Sequence, residues 1–164
     1  MPTWTDNQLG RIGDAQEMRI AAMRPDGPLR TPVVVWVVRI GDDLYTRSVN
    51  GPDAAWFRGV QARHEGQISA DGVDADVMFS DVDDDVDSQI NDEVDTAYRR
   101  KYGRYPGPVA SITSPLARST TIRIVPVRPR QLKESICRSY RRGRQPRVRP
   151  KYSRATYIST LSPK

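Results

Sequence analysis

A chain of 164 residues has room for one domain of ordinary size plus an extension. Its longest unbroken apolar run, Val33 to Val38, is six residues, which excludes a membrane-spanning helix of ~20. The single cysteine, Cys137, excludes an internal disulfide and a cysteine-based zinc site.

Hydrophobic residues make up 37% of the chain and the mean hydropathy is −0.63, low because a polar segment dilutes an ordinary domain. The net charge of +6 averages two unlike regions. Residues 1–127 carry 14 Arg+Lys against 19 Asp+Glu, net −5, whereas residues 128–164 carry 12 against one, net +11. The basic pI of about 9.8 therefore belongs to the C-terminal segment, and it does not mark the whole protein as a nucleic-acid binder. The start, MPTWTDNQLG, has no basic stretch followed by an apolar one, so no secretory signal is expected and the cytoplasm is the expected location.

In chain order, Thr5 can cap a short helix over Asp6 to Ile12, stopped at Gly13. EMRIAAMR reads as a first strand, followed by the turn Pro25-Asp26-Gly27-Pro28. The β-branched run Val33 to Val38 predicts one central strand buried on both faces. Gly41-Asp42-Asp43 is a hairpin signal, with Leu44 to Val49 as the return strand. Asn50-Gly51-Pro52-Asp53 then opens a helix, with Asn50 as N-cap and Asp53 facing the positive end of the dipole. That helix should turn Ala55, Trp56, Phe57 and Val60 inward and stop near Gly66.

Two short strands joined by Asp71-Gly72 follow. In the second, Val73, Ala75, Val77 and Phe79 alternate with polar positions, so one face is buried. Residues 81–103 read as a long helix with acids at its start, Arg99, Arg100 and Lys101 in its last turn, and Gly103 as its end. Val86, Ile90, Val94, Ala97 and Tyr98 fall on one face of it. Thr120 to Val125 reads as a closing strand. The fold class expected is mainly β (α+β): a small antiparallel barrel with helices packed on its rim. Residues 1–127 form that domain. Residues 128–164 have four prolines, a like-charge excess and no periodicity, and read as a disordered basic tail.

The segment SVNGPDAAWFRGVQARHEG carries the clearest site signal. A strand entering a helix through Asn-Gly-Pro leaves N–H groups free at the helix start, where an anion or an electron-rich ring edge can bind. Arg47 just before it, and Arg30 ahead of the apolar run, add positive charge. An ordinary capped helix with solvated arginines explains the same residues. Asp81, Asp83, Asp85, Asp87 and Asp92 fit a calcium loop superficially, but Val86 stands where its glycine belongs, and a carboxylate-rich helix start suffices. His64, the only histidine, has no second histidine or cysteine to share a metal and reads as a helix-end residue. Tyr98, Tyr102 and Tyr105 read as core and rim packing.

RTPVVVWVVRIGDDLYTRSVNGPDAAWFRGVQARHEGQISADG resembles the split β-barrel proteins of the deazaflavin-dependent nitroreductase type. Those carry an Arg-Thr-Pro lead into a strand, a Gly-Asp hairpin, a small-polar-Gly turn and an Ala-Trp-aromatic helix. More narrowly, residues 1–127 look like an actinobacterial family of unassigned function within that superfamily. Arg30, Thr31 and Pro32 match the lead; Ser48, Asn50 and Gly51 match the turn; Ala55, Trp56 and Phe57 match the helix. Three departures stand out. Asn50 replaces the first glycine of a Gly-Gly turn, His64 stands where the helix normally ends in proline, and the upstream basic Gly-rich stretch is reduced to RPDGPLR.

The resemblance implies a deazaflavin coenzyme, or alternatively flavin mononucleotide (FMN), bound by Arg30, Thr31, Pro32, Arg47, Ser48, Asn50, Gly51, Ala55 and Trp56. Arg30 and Arg47 would hold the acidic arm and Trp56 would wall the ring. It also implies a homodimer and hydride transfer to a small acceptor, the cofactor carrying the electrons. A cofactor-free barrel binding a partner or small ligand is the alternative. A third reading gives the tail a non-specific nucleic-acid contact, with Tyr140, Tyr152 and Tyr157 available to stack. The tail as an accidental extension stays open beside it.

Overall fold

The computed structural model describes residues 2–83 and 85–127. The expectations for the tail, Cys137, Tyr140, Tyr152 and Tyr157 included, lie outside the described residues.

Helix α1, Asp6–Asp14, starts in a full capping box: the Thr5 hydroxyl accepts from the Gln8 N–H at 3.2 Å, and the Gln8 side chain accepts from the Thr5 N–H at 3.0 Å. It turns Leu9 and Ile12 into the core and runs past Gly13. Strands β1 (Met18–Ala22), β2 (Val33–Val35), β3 (Val37–Ile40) and β4 (Asp43–Thr46) follow. A 3-10 turn, Gly51–Asp53, precedes α2, Ala55–Arg63, and the hairpin β5 (Glu65–Ala70) and β6 (Val73–Asp81) comes next. Helices α3 (Ser88–Tyr102), α4 (Pro106–Ile112) and α5 (Pro115–Arg118) lead to β7, Ile122–Pro126.

All seven strands pair antiparallel in the order β2-β1-β5-β6-β7-β4-β3. The two outer strands, β2 and β3, are consecutive in sequence, so the nearly closed barrel is completed by the chain itself at Trp36. The run Val33 to Val38 is thus not one central strand. It bends at Trp36, β2 pairing with β1 and β3 with β4, and Val34 faces outward at 55% exposure. The bend has a chemical cause: the Trp36 carbonyl accepts from the Thr46 hydroxyl at 2.6 Å and the Tyr98 hydroxyl at 3.3 Å. A carbonyl satisfied by side chains leaves the ladder without an orphaned acceptor.

One apolar core fills the barrel, with Ile20, Val37, Leu44, Phe57, Ile68 and Phe79 among its members. A second lies outside it, where Val94, Tyr98 and Tyr102 of α3 and Val109 and Ile112 of α4 cover Val38 and Tyr45. Several element boundaries differ from expectation. Helix α3 begins at Ser88; Asp81 still belongs to β6, and the acids after it form a turn in which the Asp83 side chain accepts from the Asp85 N–H at 2.9 Å. Val86, expected on the buried face, is 77% exposed in that turn. Helix α2 ends at Arg63, with His64 at φ 58° as its left-handed cap, and Gly66 already lies in β5.

Candidate functional site

A groove of about 330 Å³ opens at the Trp36 bend. Val34, Val35 and Trp36 form one side; Arg47, Val49 and Asn50, at the end of β4, form the next; Trp56 of α2 and Pro108 and Ile112 of α4 close it. Its volume is at the lower end of small-molecule sites and its lining is mostly apolar. Trp36 is backed by Tyr102, with ring centroids 3.9 Å apart and planes within 1°. Such stacking adds about 0.5–1.5 kcal/mol beyond area burial and fixes the indole as a rigid wall. Trp56 is held edge-on to Phe57, at 5.9 Å and 87°.

Arg47 is not the exposed cation that the sequence suggests. It is 1% exposed, and its five N–H donors are all spent inside the protein. Nε donates to Thr121 Oγ1 at 2.8 Å, Nη1 to Asp95 Oδ1 and to the Ile112 carbonyl, and Nη2 to the carbonyl and side-chain oxygen of Asn91, both at 3.0 Å. No donor remains for an acidic arm, so that expected role is corrected: Arg47 ties the end of β4 to α3, α4 and the entry to β7. Asp95 also accepts from Arg118 Nη1 at 3.2 Å, and Arg118 binds Asp92 at 2.7 Å. Two cations thus meet two carboxylates.

The other sequence candidates separate into groups. Asn50 and Trp56 line the same groove as Arg47. Asn50 makes no capping bond, and α2 starts instead after Ala54, without a side-chain cap on its first N–H groups. Ser48 is 1% exposed, its N–H donates to Thr120 Oγ1 at 2.8 Å, and its hydroxyl is buried without a hydrogen-bond partner. Gly51, at φ +75°, is buried beneath Leu116 of α5; a Cβ there would lie 2.5 Å from Leu116 Cγ. Ala55, expected inward, is exposed.

Arg30 does not converge with Arg47. It lines a separate cavity of about 500 Å³ with Arg19, Pro32 and Gln67, while Thr31 is exposed and lines neither. The Arg30 arm crosses α2 at Gly59, where a Cβ would stand 2.8 Å from Cδ and Nε, and its Nε is buried without a partner. Gly59 sits three residues beyond Trp56, on the same side of the helix. Arg30 thus lines no wall of the groove, but its Nε keeps an unused donor one helical turn from Trp56.

His64 Nε2 lies 2.9 Å from Asp81 Oδ2, and Gln61 donates to the other Asp81 oxygen at 2.7 Å. This matches a helix-end residue. Among the described residues no group of three His, Cys, Asp or Glu is placed to hold a metal. Tyr98 and Tyr102 are core residues, as expected, while Tyr105 is 41% exposed beside Trp36 at 6.1 Å. Burial pushes the Tyr98 hydroxyl well up, and pushes that of Tyr102, which donates to the Val37 carbonyl at 3.3 Å, up to about 12. Lys101 donates to that same carbonyl at 2.7 Å; burial pushes its amine down to about 8, with Asp14 pulling the other way.

Sequence reasoning missed the α4 wall, because GRYPGPVASITSP reads as loop, and missed Asn91, Asp95 and Thr121. One signal for Asn91 and Asp95 was present. They are four residues apart and flank Val94 and Tyr98 on the buried side of α3.

Comparison with known proteins places this architecture. Residues 8–124 match the family described as uncharacterised proteins conserved in bacteria, DUF2255. The chain belongs to that family. No curated protein matches it. Solved structures share its fold at low identity. An F420 reductase superposes with TM-score 0.51 at 15% identity, covering 76% of this chain and 97% of that one. A conserved hypothetical protein from Mycobacterium tuberculosis gives 0.53 at 10%, covering 77% and 81%. An FAD-binding protein from Mesorhizobium loti gives 0.51 at 14%, covering 77% and 93%. At such identities the likeness shows the split-barrel fold, as the resemblance implied, and the fold alone. Among the described residues no helix is long and apolar enough to cross a membrane.

Proposed function

We propose that the groove at the Trp36 bend receives the ring system of a flavin-type cofactor, a deazaflavin or FMN, and that the protein is an oxidoreductase acting on a small acceptor. The observation that carries this reading is the pair of indoles, Trp36 and Trp56, on walls of one apolar groove in a split barrel. Two similar structures, an F420 reductase and an FAD-binding protein, support it. The residues fit the ring better than the arm. Trp36, Trp56, Val34 and Ile112 offer apolar contact, and Asn50 offers a polar edge. Arg30, which lines the neighbouring cavity and packs on α2 one turn from Trp56, would reach an acidic arm from there in place of Arg47.

When bound, the cofactor supplies hydride transfer; the protein's part is orientation and exclusion of water. A rigid, stacked Trp36 fixes where a ring can lie, and the first turn of α2, without a side-chain cap, leaves N–H groups for a polar edge. A homodimer belongs to the same reading. Val34, Val49 and Leu116, exposed by 55%, 45% and 56%, give a second copy an apolar rim to cover.

A cofactor-free barrel is the second reading, favoured by one observation: among the described residues, no charged group lining the groove has a free donor. Titration of the purified protein with a deazaflavin and with FMN separates the two, because saturable binding of either supports the first and binding of neither supports the second.

A further inference from the structure

Among the described residues, Arg47 is the only charged one lining the groove. Its side chain is fully covered, and Asp95 on α3 meets it directly, itself only 8% exposed. The local charge is therefore cancelled at its source, away from solvent. In a poorly hydrated site an uncompensated guanidinium would dominate the field over several ångströms, because neither bulk water nor salt screens it well. With the pair intact, the groove offers an incoming ligand neither a free donor from Arg47 nor a net charge. An anion entering would give up its hydration and receive nothing comparable in return.

We propose that Asp95, through its buried pair with Arg47, makes this groove selective for uncharged aromatic ligands; the proposal rests on the reading of the groove as a ligand site. Asp95 is a specificity-determining residue that acts through Arg47 and touches no ligand. Arg118, its second partner, is balanced in turn by Asp92 on the outer side of α3, where Asp92 is 72% exposed. Neutralising Asp95 therefore leaves cationic charge behind the groove wall, whereas neutralising Asp92 changes charge only near solvent.

The test uses the full chain and two probes of the same shape, naphthalene-2-carboxamide and naphthalene-2-carboxylate. Binding is read from the indole N–H signals of Trp36 and Trp56. Trp4, whose Nε1 donates to the Ile124 carbonyl at 3.1 Å outside the groove, serves as the internal control. The wild type should bind the carboxamide at least about tenfold more tightly than the carboxylate, a comparison that needs no variant. Asp95→Asn, checked for a folded spectrum, should shift that ratio by roughly tenfold toward the carboxylate, the effect of one unit charge through protein. Asp92→Asn should leave the ratio unchanged. A general loosening of structure would weaken both probes together, so only a change of ratio supports the proposal. A wild type that binds both probes equally, or an Asp95→Asn ratio that does not move, overturns it while leaving the groove a ligand site. Shifts for neither probe remove the ligand-site reading and this proposal with it.

Discussion

Arg47, just past the end of β4, and Asp95, in the middle of α3, form a buried ion pair that joins the barrel to the helical layer outside it. Breaking it from one side leaves a buried charge undercompensated. Arg47→Leu should cost about 3–5 kcal/mol, because Asp95 is left with Arg118 at 3.2 Å, and Asn91 and the Ile112 carbonyl each lose a donor. Asp95→Leu should cost a similar amount. The double variant should cost at least ~1 kcal/mol less than the two singles added, since neither charge is then left alone. Urea melts of the four proteins check this. Strict additivity would show that the pair is not coupled.

A second prediction separates ring from arm. Gly59→Ala places a methyl where the Arg30 Cδ and Nε now lie, and a flexible arginine arm swings aside more easily than a helix moves. Replacing a helix-interior glycine gains up to ~1 kcal/mol, so thermal stability should hold or rise. Binding of a cofactor with an acidic arm should weaken by about 1.5–3 kcal/mol, the worth of a hydrogen bond to a charged group. Binding of the bare ring should not change. Arg30→Ala should reproduce the binding result. Equal affinity for the armed cofactor in all three proteins would remove Arg30 from the site.

The groove shows why the site was only half legible in sequence. Asn50 and Trp56 were readable because a small-polar turn before an aromatic helix start is a local pattern. The α4 wall was not, because Pro106 and Pro108 look like loop residues until the first is placed in the first helical turn. The burial of Arg47 was hidden for a different reason. Arginine is almost always solvated, and the five acceptors that justify its burial sit on four residues 44 to 74 positions away. The barrel was largely legible. The Val37–Thr46 hairpin and the alternation along β6 appear as expected, while the bend at Trp36 left no trace in a uniformly β-branched run.

In the alkaline range the pH dependence of stability sets Lys101 against the buried tyrosines Tyr45, Tyr98 and Tyr102, whose hydroxyls are all pushed up. The Lys101 amine titrates near 8 in the folded protein and near 10.5 otherwise. Across that window the unfolded chain holds a proton that the folded one has released, so stability rises with pH. Tyr102 does the reverse: its folded value of about 12 against 10.0 makes stability fall above pH 10, as the unfolded chain ionises first. Stability should therefore climb from pH 8 to about 10 and decline beyond it. Lys101→Met should flatten the climb and leave the decline. Lys101 is the only lysine in residues 1–127. A chain ending at Val127 therefore gives one lysine NMR signal, whose midpoint checks the direction.

We also propose that residues 1–127 fold without the basic segment. A chain ending at Val127 should melt cooperatively at nearly the temperature of the full chain. It should also lose salt-sensitive retention on heparin or single-stranded nucleic acid, because it carries −5 instead of +6. Loss of more than ~2 kcal/mol of stability would refute the two-part division. Retention by the shortened chain would require a basic patch on the barrel.

The proposed function rests on whether the Trp36 bend holds a flavin-type ring. The direct measurement is a titration of the folded protein with a deazaflavin and with FMN, reading Trp36 and Trp56 by fluorescence and by their indole signals. The expected result is saturable quenching within tens of micromolar, stronger for the deazaflavin, with the Trp36 and Trp56 signals moving and Trp4 still. Absence of quenching by either cofactor in that range, with the protein demonstrably folded, would contradict the redox reading and leave the cofactor-free barrel in its place.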